Sequence, residues 1–320
     1  MLIRARGAEL CGAIGRWSWR LPATDADQVE RRPWAAVVAD YVSLTKPRIM
    51  SLLLATEFLA MIVAARGWPG WVLTIEALGA GAMASGGASS INCWFDRDID
   101  AVMGRTRGRP VPSGRIAPAR ALALGIGLSA VAFGVFAVGV NMLAAVLSLF
   151  GGAFYVLVYT MWLKRLTSQN IVIGGAAGAV PPLVGWAAVT HTVGPVALVL
   201  FGVIFLWTPP HFWALSLIVR RDYASVGVPM RPVVAGNRDT RRGIMVYSVL
   251  LVALSLTLAY WLGSAELAVG VVLGLIFLGL AGRVLLERGT TVWARRLFRF
   301  SLVYLFAFFL GTACVAVLGG

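Results

Sequence analysis

Asn92, Asp96 and Asp100 recur at intervals of four at the end of a long apolar run. On a helix that interval turns only about 40° per step, so the three side chains share one stripe. An amide oxygen and two carboxylates in a row are hard ligands suited to Mg²⁺, which takes one or two carboxylates and fills its shell with water and substrate phosphate. Asp98 falls off the stripe and points elsewhere. A plain helix end would not need acids that lower helix propensity and repel one another, so a solvated loop is the weaker explanation.

Arg105, Arg107 and Arg109 follow directly, and guanidinium binds phosphate oxygens in pairs. Acids that hold a metal beside cations that neutralise the remaining oxygens suit a bound diphosphate. A second loop, RRDYASVGVPMRPVVAG at 220–236, repeats the theme: Asp222 follows an apolar run, flanked by Arg220, Arg221 and Arg231. Two acidic loops on one face could close around one diphosphate. Taken alone, the second loop also reads as an ordinary charged connection between spans.

What must position these residues is a membrane bundle. Of 320 residues, 59% are hydrophobic and only 13% charged, a composition that suits lipid rather than water. A helix crossing the ~30 Å hydrocarbon core needs about 20 apolar residues. Nine runs qualify, near 48–65, 71–94, 118–140, 142–162, 170–190, 194–217, 244–262, 265–285 and 297–318. The predicted fold class is all-α, a bundle of about nine transmembrane helices.

Charge placement orients the bundle, because Lys and Arg gather in cytoplasmic loops. With the N-terminus inside, the segment to Arg48 and the loops after even-numbered spans hold 27 of the 28 basic residues, leaving only Arg66 outside. Both acidic loops are then cytoplasmic and the C-terminus is outside. The net charge of +14 is therefore a topology signal and not a nucleic-acid footprint. Residues 1–40 are basic, yet they contain Glu9, Asp25, Asp27 and Glu30 and lack a long apolar core. They are expected to be a retained cytoplasmic tail before a membrane domain at 41–320, neither a secretory signal nor a transit peptide. Cys11, Cys93 and Cys314 are too scattered for a disulfide framework or a zinc site. Small-residue stretches, GAGAMASGGASS (79–90) and GGAAGA (174–179), let backbones approach closely.

The N-x-x-x-D-x-x-x-D spacing at the end of the second span resembles the first aspartate motif of the UbiA-type intramembrane prenyltransferases. TKPRI (45–49), NCWFDRDID with MGRTRGRP (92–110), YTMWLKRLTSQNIVIGGAAGAVPPLVGW (159–186), WTPPHFWAL (207–215) and DYASVGVPMRPVVAG (222–236) are similar to the protohaem IX farnesyltransferase (haem O synthase) branch. The likeness runs from about 45 to 310. It implies transfer of a farnesyl group from farnesyl diphosphate to a vinyl group of haem B, giving haem O, in a bacterial cytoplasmic membrane. Asn92, Asp96, Asp100 and Asp222 would hold Mg²⁺, and Arg105, Arg109, Lys164 and Arg221 the diphosphate. A haem O oxygenase (haem A synthase) would be the partner that receives the product.

Haem also needs a seat, and only His191 and His211 offer imidazole, a ready iron ligand. His191 falls in the outer loop VTHTVG. His211 follows a Pro–Pro pair that should disturb the sixth span. With Trp207 it is the candidate for haem binding or acceptor positioning, against an equal case for a structural hydrogen bond. Two features depart from relatives with other aromatic acceptors: Val226 stands where their second motif has a further Asp, and Tyr159 precedes Lys164 by five. The alternatives are a prenyltransferase for another aromatic or tetrapyrrole acceptor and a transporter of an anionic metabolite. A transporter would carry its interrupted helices and charges at midplane depth, not at one face.

Overall fold

The computed structural model describes residues 33–319, so most of the tail expected over 1–40 lies outside the described residues. In chain order the helices are α1 (Trp34–Leu44), α2 (Pro47–Ala65), α3 (Trp71–Phe95), α4 (Arg97–Val102), α5 (Pro118–Val140), α6 (Met142–Leu166) and α7 (Asn170–Thr190). Then follow α8 (Pro195–Ile218), α9 (Arg220–Ser225), α10 (Arg231–Val234), α11 (Gly236–Leu262), α12 (Ser264–Leu286) and α13 (Val292–Leu318). Among the described residues there is no strand.

Eight of these are long and apolar enough to span a bilayer: α2, α5, α6, α7, α8, α11, α12 and α13. The remaining predicted span, the second, is α3; its 25 residues are length enough to cross, but its glycines and serines dilute its hydropathy. Those small residues serve contact instead. A Cβ added at Gly87 would lie 2.5 Å from Ser129 Oγ and 2.7 Å from the Gly125 carbonyl oxygen, so α3 and α5 touch backbone to backbone. Asn141 divides α5 from α6, its side chain capping the Ala144 N–H at 2.9 Å.

From Val38 onward the chain is one unit, with α8 packed among α7, α11 and α13, and α13 returning against α2. Two Pro–Pro pairs, Pro181–Pro182 and Pro209–Pro210, lie inside α7 and α8, and both helices run through them unbroken. The Pro–Pro pair before His211 therefore removes N–H donors without ending the helix.

Candidate functional site

The acid stripe outlasts the helix that starts it. α3 stops at Phe95, and the Asp96 backbone at φ −82°, ψ 5° begins the short α4. The Asp96 N–H still donates to the Asn92 carbonyl and the Asp100 N–H to that of Asp96, both at 2.9 Å, so the four-residue register carries across. Asn92, Asp96 and Asp100 are all buried. Asp98 points outward and takes a two-point hydrogen bond from Arg165, at 2.7 Å from each terminal nitrogen. Partial burial pushes the Asp98 carboxyl up, but those bonds and the guanidinium charge outweigh it and hold it below its ordinary value.

Every member of the stripe meets a cation. Lys164 Nζ, at the foot of α6, donates to Asp96 Oδ2, and Arg165 Nη2 lies 3.7 Å from Asp96 Oδ1. Arg109 Nη1 donates to Asp100 Oδ2 at 2.6 Å. Asn92 ties the group together: its Oδ1 accepts from Lys46 Nζ at 2.8 Å, while its Nδ2 donates to Asp96 Oδ2 at 2.7 Å and Thr160 Oγ1 at 3.1 Å. Lys46 reaches Asn92 from a left-handed backbone, φ 54° and ψ 59°, a conformation that costs a non-glycine residue roughly 1–2 kcal/mol. Burial lowers its ammonium pKa below the ordinary value; Cys93, Asp96 and Asp100 partly oppose that, and Arg109 adds to it.

The five-residue step from Tyr159 to Lys164 has a backbone cause. Phe154–Leu163 is π-helical, and the Lys164 N–H donates to the Tyr159 carbonyl five residues back. The wider turn returns residue i+5 close to the face of residue i. Tyr155 and Tyr159 stack at 5.5 Å between centroids, and the Tyr159 ring fills the space where a Cβ at Gly174 would stand.

The two loops predicted to meet do so through apolar side chains. Ile99 and Met103 of the first loop pack with Tyr223, Val226, Val228 and Met230 of the second and with Tyr159. The Tyr223 hydroxyl stands beside Arg105; burial raises it above its ordinary value, and the Arg105 charge only partly offsets that. Asp222 does not join the stripe: among the described residues no three His, Cys, Asp or Glu side chains could hold one metal ion. With Arg221 it lines a separate groove along 217–224. Arg105 and Arg109, by contrast, share a cavity of about 440 Å³ with Lys46 and Arg115.

Donor chemistry at the stripe suits Mg²⁺. Asp96 Oδ1 is buried and accepts no hydrogen bond, with only the Arg165 guanidinium 3.7 Å away, which leaves a hard oxygen that a metal ion would satisfy. Sequence reasoning missed Lys46, Thr160 and Arg165. Lys46 stood in TKPRI and Arg165 beside Lys164, but neither position has a periodicity that points to a partner 46 or 67 residues away.

His211 and Trp207 sit deep in α8, stacked at 4.3 Å and both anchored to Ser301 of α13. Trp207 Nε1 donates to the Ser301 carbonyl at 2.7 Å, and His211 Nδ1 lies 2.7 Å from Ser301 Oγ. The single hydroxyl proton of Ser301 goes to the Phe298 carbonyl at 2.7 Å. With that proton directed at the Phe298 carbonyl, the tautomer that satisfies both contacts is the one with Nδ1 protonated, in which Nε2 keeps its lone pair. His191 ends α7 in a left-handed turn, away from this group.

Residues 53–303 match the UbiA prenyltransferase family. The chain belongs to that family. A protoheme IX farnesyltransferase of Symbiobacterium thermophilum is 53% identical over 278 residues, covering 86% of this chain and 93% of that relative. One from Roseiflexus castenholzii is 49% identical over 284 residues, covering 88% of this chain; the chain spans only 52% of that longer relative. Among solved structures the UbiA bundle recurs in a digeranylgeranylglyceryl phosphate synthase, at a TM-score of 0.73 and 17% identity, covering 88% of this chain and 99% of that one. It recurs in a UbiA homolog from Archaeoglobus fulgidus bound to GPP and Mg²⁺, at 0.61 and 16%, covering 85% and 99%. The expected family and the all-helical membrane bundle are thus borne out.

Proposed function

We propose that the chain transfers the farnesyl group of farnesyl diphosphate to a vinyl group of haem B, releasing diphosphate and giving haem O. The observation that carries this reading is the buried line of Asn92, Asp96 and Asp100 with its ring of cations and one unsatisfied carboxylate oxygen, Asp96 Oδ1. The names borne by relatives at about half identity supply the acceptor.

Asp96 and Asp100, with Asn92 beside them, would hold Mg²⁺, which would neutralise diphosphate oxygens as the allylic C–O bond breaks. Asp222 is a more distant anchor, suited to closing over the substrate rather than to sharing the same ion. Lys164, Arg105 and Arg109 would meet the negative charge that grows on the leaving diphosphate, favouring the transition state over the ground state. Arg221, facing the outer groove, is suited to steering the diphosphate inward. Tyr155 and Tyr159, stacked at 5.5 Å in the π-helical stretch that leads to Lys164, would offer aromatic faces to an allylic cation. The electron-rich vinyl group attacks that cation. Water then captures the resulting haem-side cation and loses a proton, which completes a hydroxyethylfarnesyl group. Apolar walls keep water from the first cation. His211, its ring stacked on Trp207 and its Nδ1 bonded to Ser301, would ligate or orient haem through Nε2.

The charged loops and the tail at 1–40 lie in the cytoplasm of a bacterium, the C-terminus lies outside, and a haem O oxygenase (haem A synthase) takes the product. The test is to supply haem B, farnesyl diphosphate and Mg²⁺ to the purified chain and look for farnesylated haem by chromatography and mass. An absence of product with the wild type, or undiminished product with Asp96→Ala, defeats the proposal.

A further inference from the structure

Behind the acid line, on the α1 side of α3, lies the cavity of about 440 Å³ formed by Lys46, Arg105, Arg109 and Arg115 with Asp40, Cys93 and short backbone stretches. Its lining carries four cations and one carboxylate. That carboxylate is already engaged: Arg115 Nε donates to Asp40 Oδ1 and Oδ2 at 3.1 and 3.2 Å. The cavity thus offers no pair of oxygens for a metal, unlike the stripe next to it. It suits a dianion that comes without one.

Arg115 is a prepared donor. Besides Asp40, it is held by Ser113 Oγ at 2.8 Å from Nη1 and by the Gly108 carbonyl at 3.0 Å from Nη2. Those contacts use three of the five N–H groups and leave one on each terminal nitrogen. Asp40 is nearly buried, and α1 therefore positions a guanidinium contributed by the loop 75 residues on. Lys46 and Arg109 stand on the wall shared with the stripe, the first bound to Asn92 and the second to Asp100.

Resting on the reading of haem B as acceptor, we infer that this cavity binds the two propionate carboxylates of the haem, with Arg115 as their anchor and Lys46 on the shared wall. Haem carries its propionates and its vinyl groups on different edges of one rigid macrocycle. Carboxylates cannot enter hydrocarbon unpaired, so they must stay at the polar mouth while the rest of the ring goes deeper. Fixing that edge here determines which edge reaches the stripe. Arg115 is thus a specificity residue for the acceptor and has no part in ionising the diphosphate.

The experiment titrates haem B, and separately haem B dimethyl ester, into the detergent-solubilised full chain without farnesyl diphosphate, following the haem absorption band. Wild type is expected to bind haem B about tenfold or more tightly than the ester, as a lost charge-assisted hydrogen bond implies. Arg115→Gln should weaken haem B by about that factor, leave the ester unchanged, and keep the KM for farnesyl diphosphate within about twofold. Arg115→Lys, which keeps the charge, should recover part of the loss and guards against a folding defect in Arg115→Gln. Equal wild-type affinity for the two haems, or an Arg115→Gln effect on farnesyl diphosphate rather than haem, overturns the inference. Since binding is read without turnover, failure of farnesyl transfer would instead tell against the proposed reaction.

Discussion

Lys164 Nζ and Asn92 Nδ2 donate to the same oxygen of Asp96, Oδ2, and leave Oδ1 without a hydrogen bond. The carboxylate is hydrogen-bonded through one oxygen, while the other has only the Arg165 guanidinium 3.7 Å away. Asp96→Asn should therefore lower kcat by about a hundred- to a thousandfold, the scale of losing one charge-stabilising group. It should also raise the Mg²⁺ concentration needed for half-maximal rate, whereas chelation of Mg²⁺ should abolish turnover in the wild type reversibly. Lys164→Met takes from a buried carboxylate its hydrogen-bonded cation, so the double variant should be less impaired than the two single losses combined, by about 1–3 kcal/mol in a mutant cycle. Strict additivity would mean that the pair does not act as a unit.

The π-helical turn makes a prediction about packing. A Cβ at Gly174 overlaps the Tyr159 ring, whereas a Cβ at Gly178, one turn further along α7, meets nothing within 4 Å. Gly174→Ala should cost about 1–3 kcal/mol by overpacking and lower activity by displacing Tyr159. Gly178→Ala should be neutral or stabilising by about 0.5–1 kcal/mol. Thermal melting in detergent together with turnover separates the two; equal behaviour would show that Tyr159 has room to move.

Span positions were legible because an apolar run of bilayer length is a one-dimensional signal, and nothing inside the run has to be known about its neighbours. α5 begins and ends where its run does, at Pro118 and Val140. The row of Asn92, Asp96 and Asp100 was legible for a similar reason, since a four-residue period survives the change from α3 to α4. Long-range pairing was not legible. Nothing local marks Lys46 as the partner of Asn92, or Ser301 as that of His211. Asp222 is not gathered with the stripe into a three-acid cluster among the described residues, and its loop docks through the apolar contacts of Tyr223 and Met230, which no local pattern announces.

Asp98 gives a pH test of what lies just off the stripe. Its carboxyl is held below the ordinary value by Arg165, so the pair contributes stability above the unfolded carboxylate pKa of about 3.9 and loses it as pH falls through the lower, folded value. Half-exposed pairs of this kind contribute at most about 1 kcal/mol. Asp98→Asn should therefore lower the melting temperature slightly at pH 7 and leave it unchanged in the acid range. A deficit that persists at low pH would have to come from packing instead.

His211 and Ser301 provide the last test, because the structure engages Nδ1 with Ser301 Oγ, and the tautomer protonated there would leave Nε2 a lone pair for iron. If Nε2 ligates haem iron, His211→Gln should remove the ligand's absorption and electron paramagnetic signatures and reduce turnover. His211→Ala should add a cavity penalty of about 2 kcal/mol or more beside Trp207 and Phe298, which stack on the ring at 4.3 and 4.7 Å. Ser301→Ala is the sharper variant. It removes the acceptor that fixes the proton on Nδ1, so the ring can exchange tautomers and turn. The expected result is weaker haem affinity, by about three- to tenfold, with the iron ligand's signature kept. Unchanged spectra in His211→Gln would return this histidine to a purely structural role. The Trp207–His211–Ser301 set would then be a polar pin between α8 and α13, and stability alone would fall.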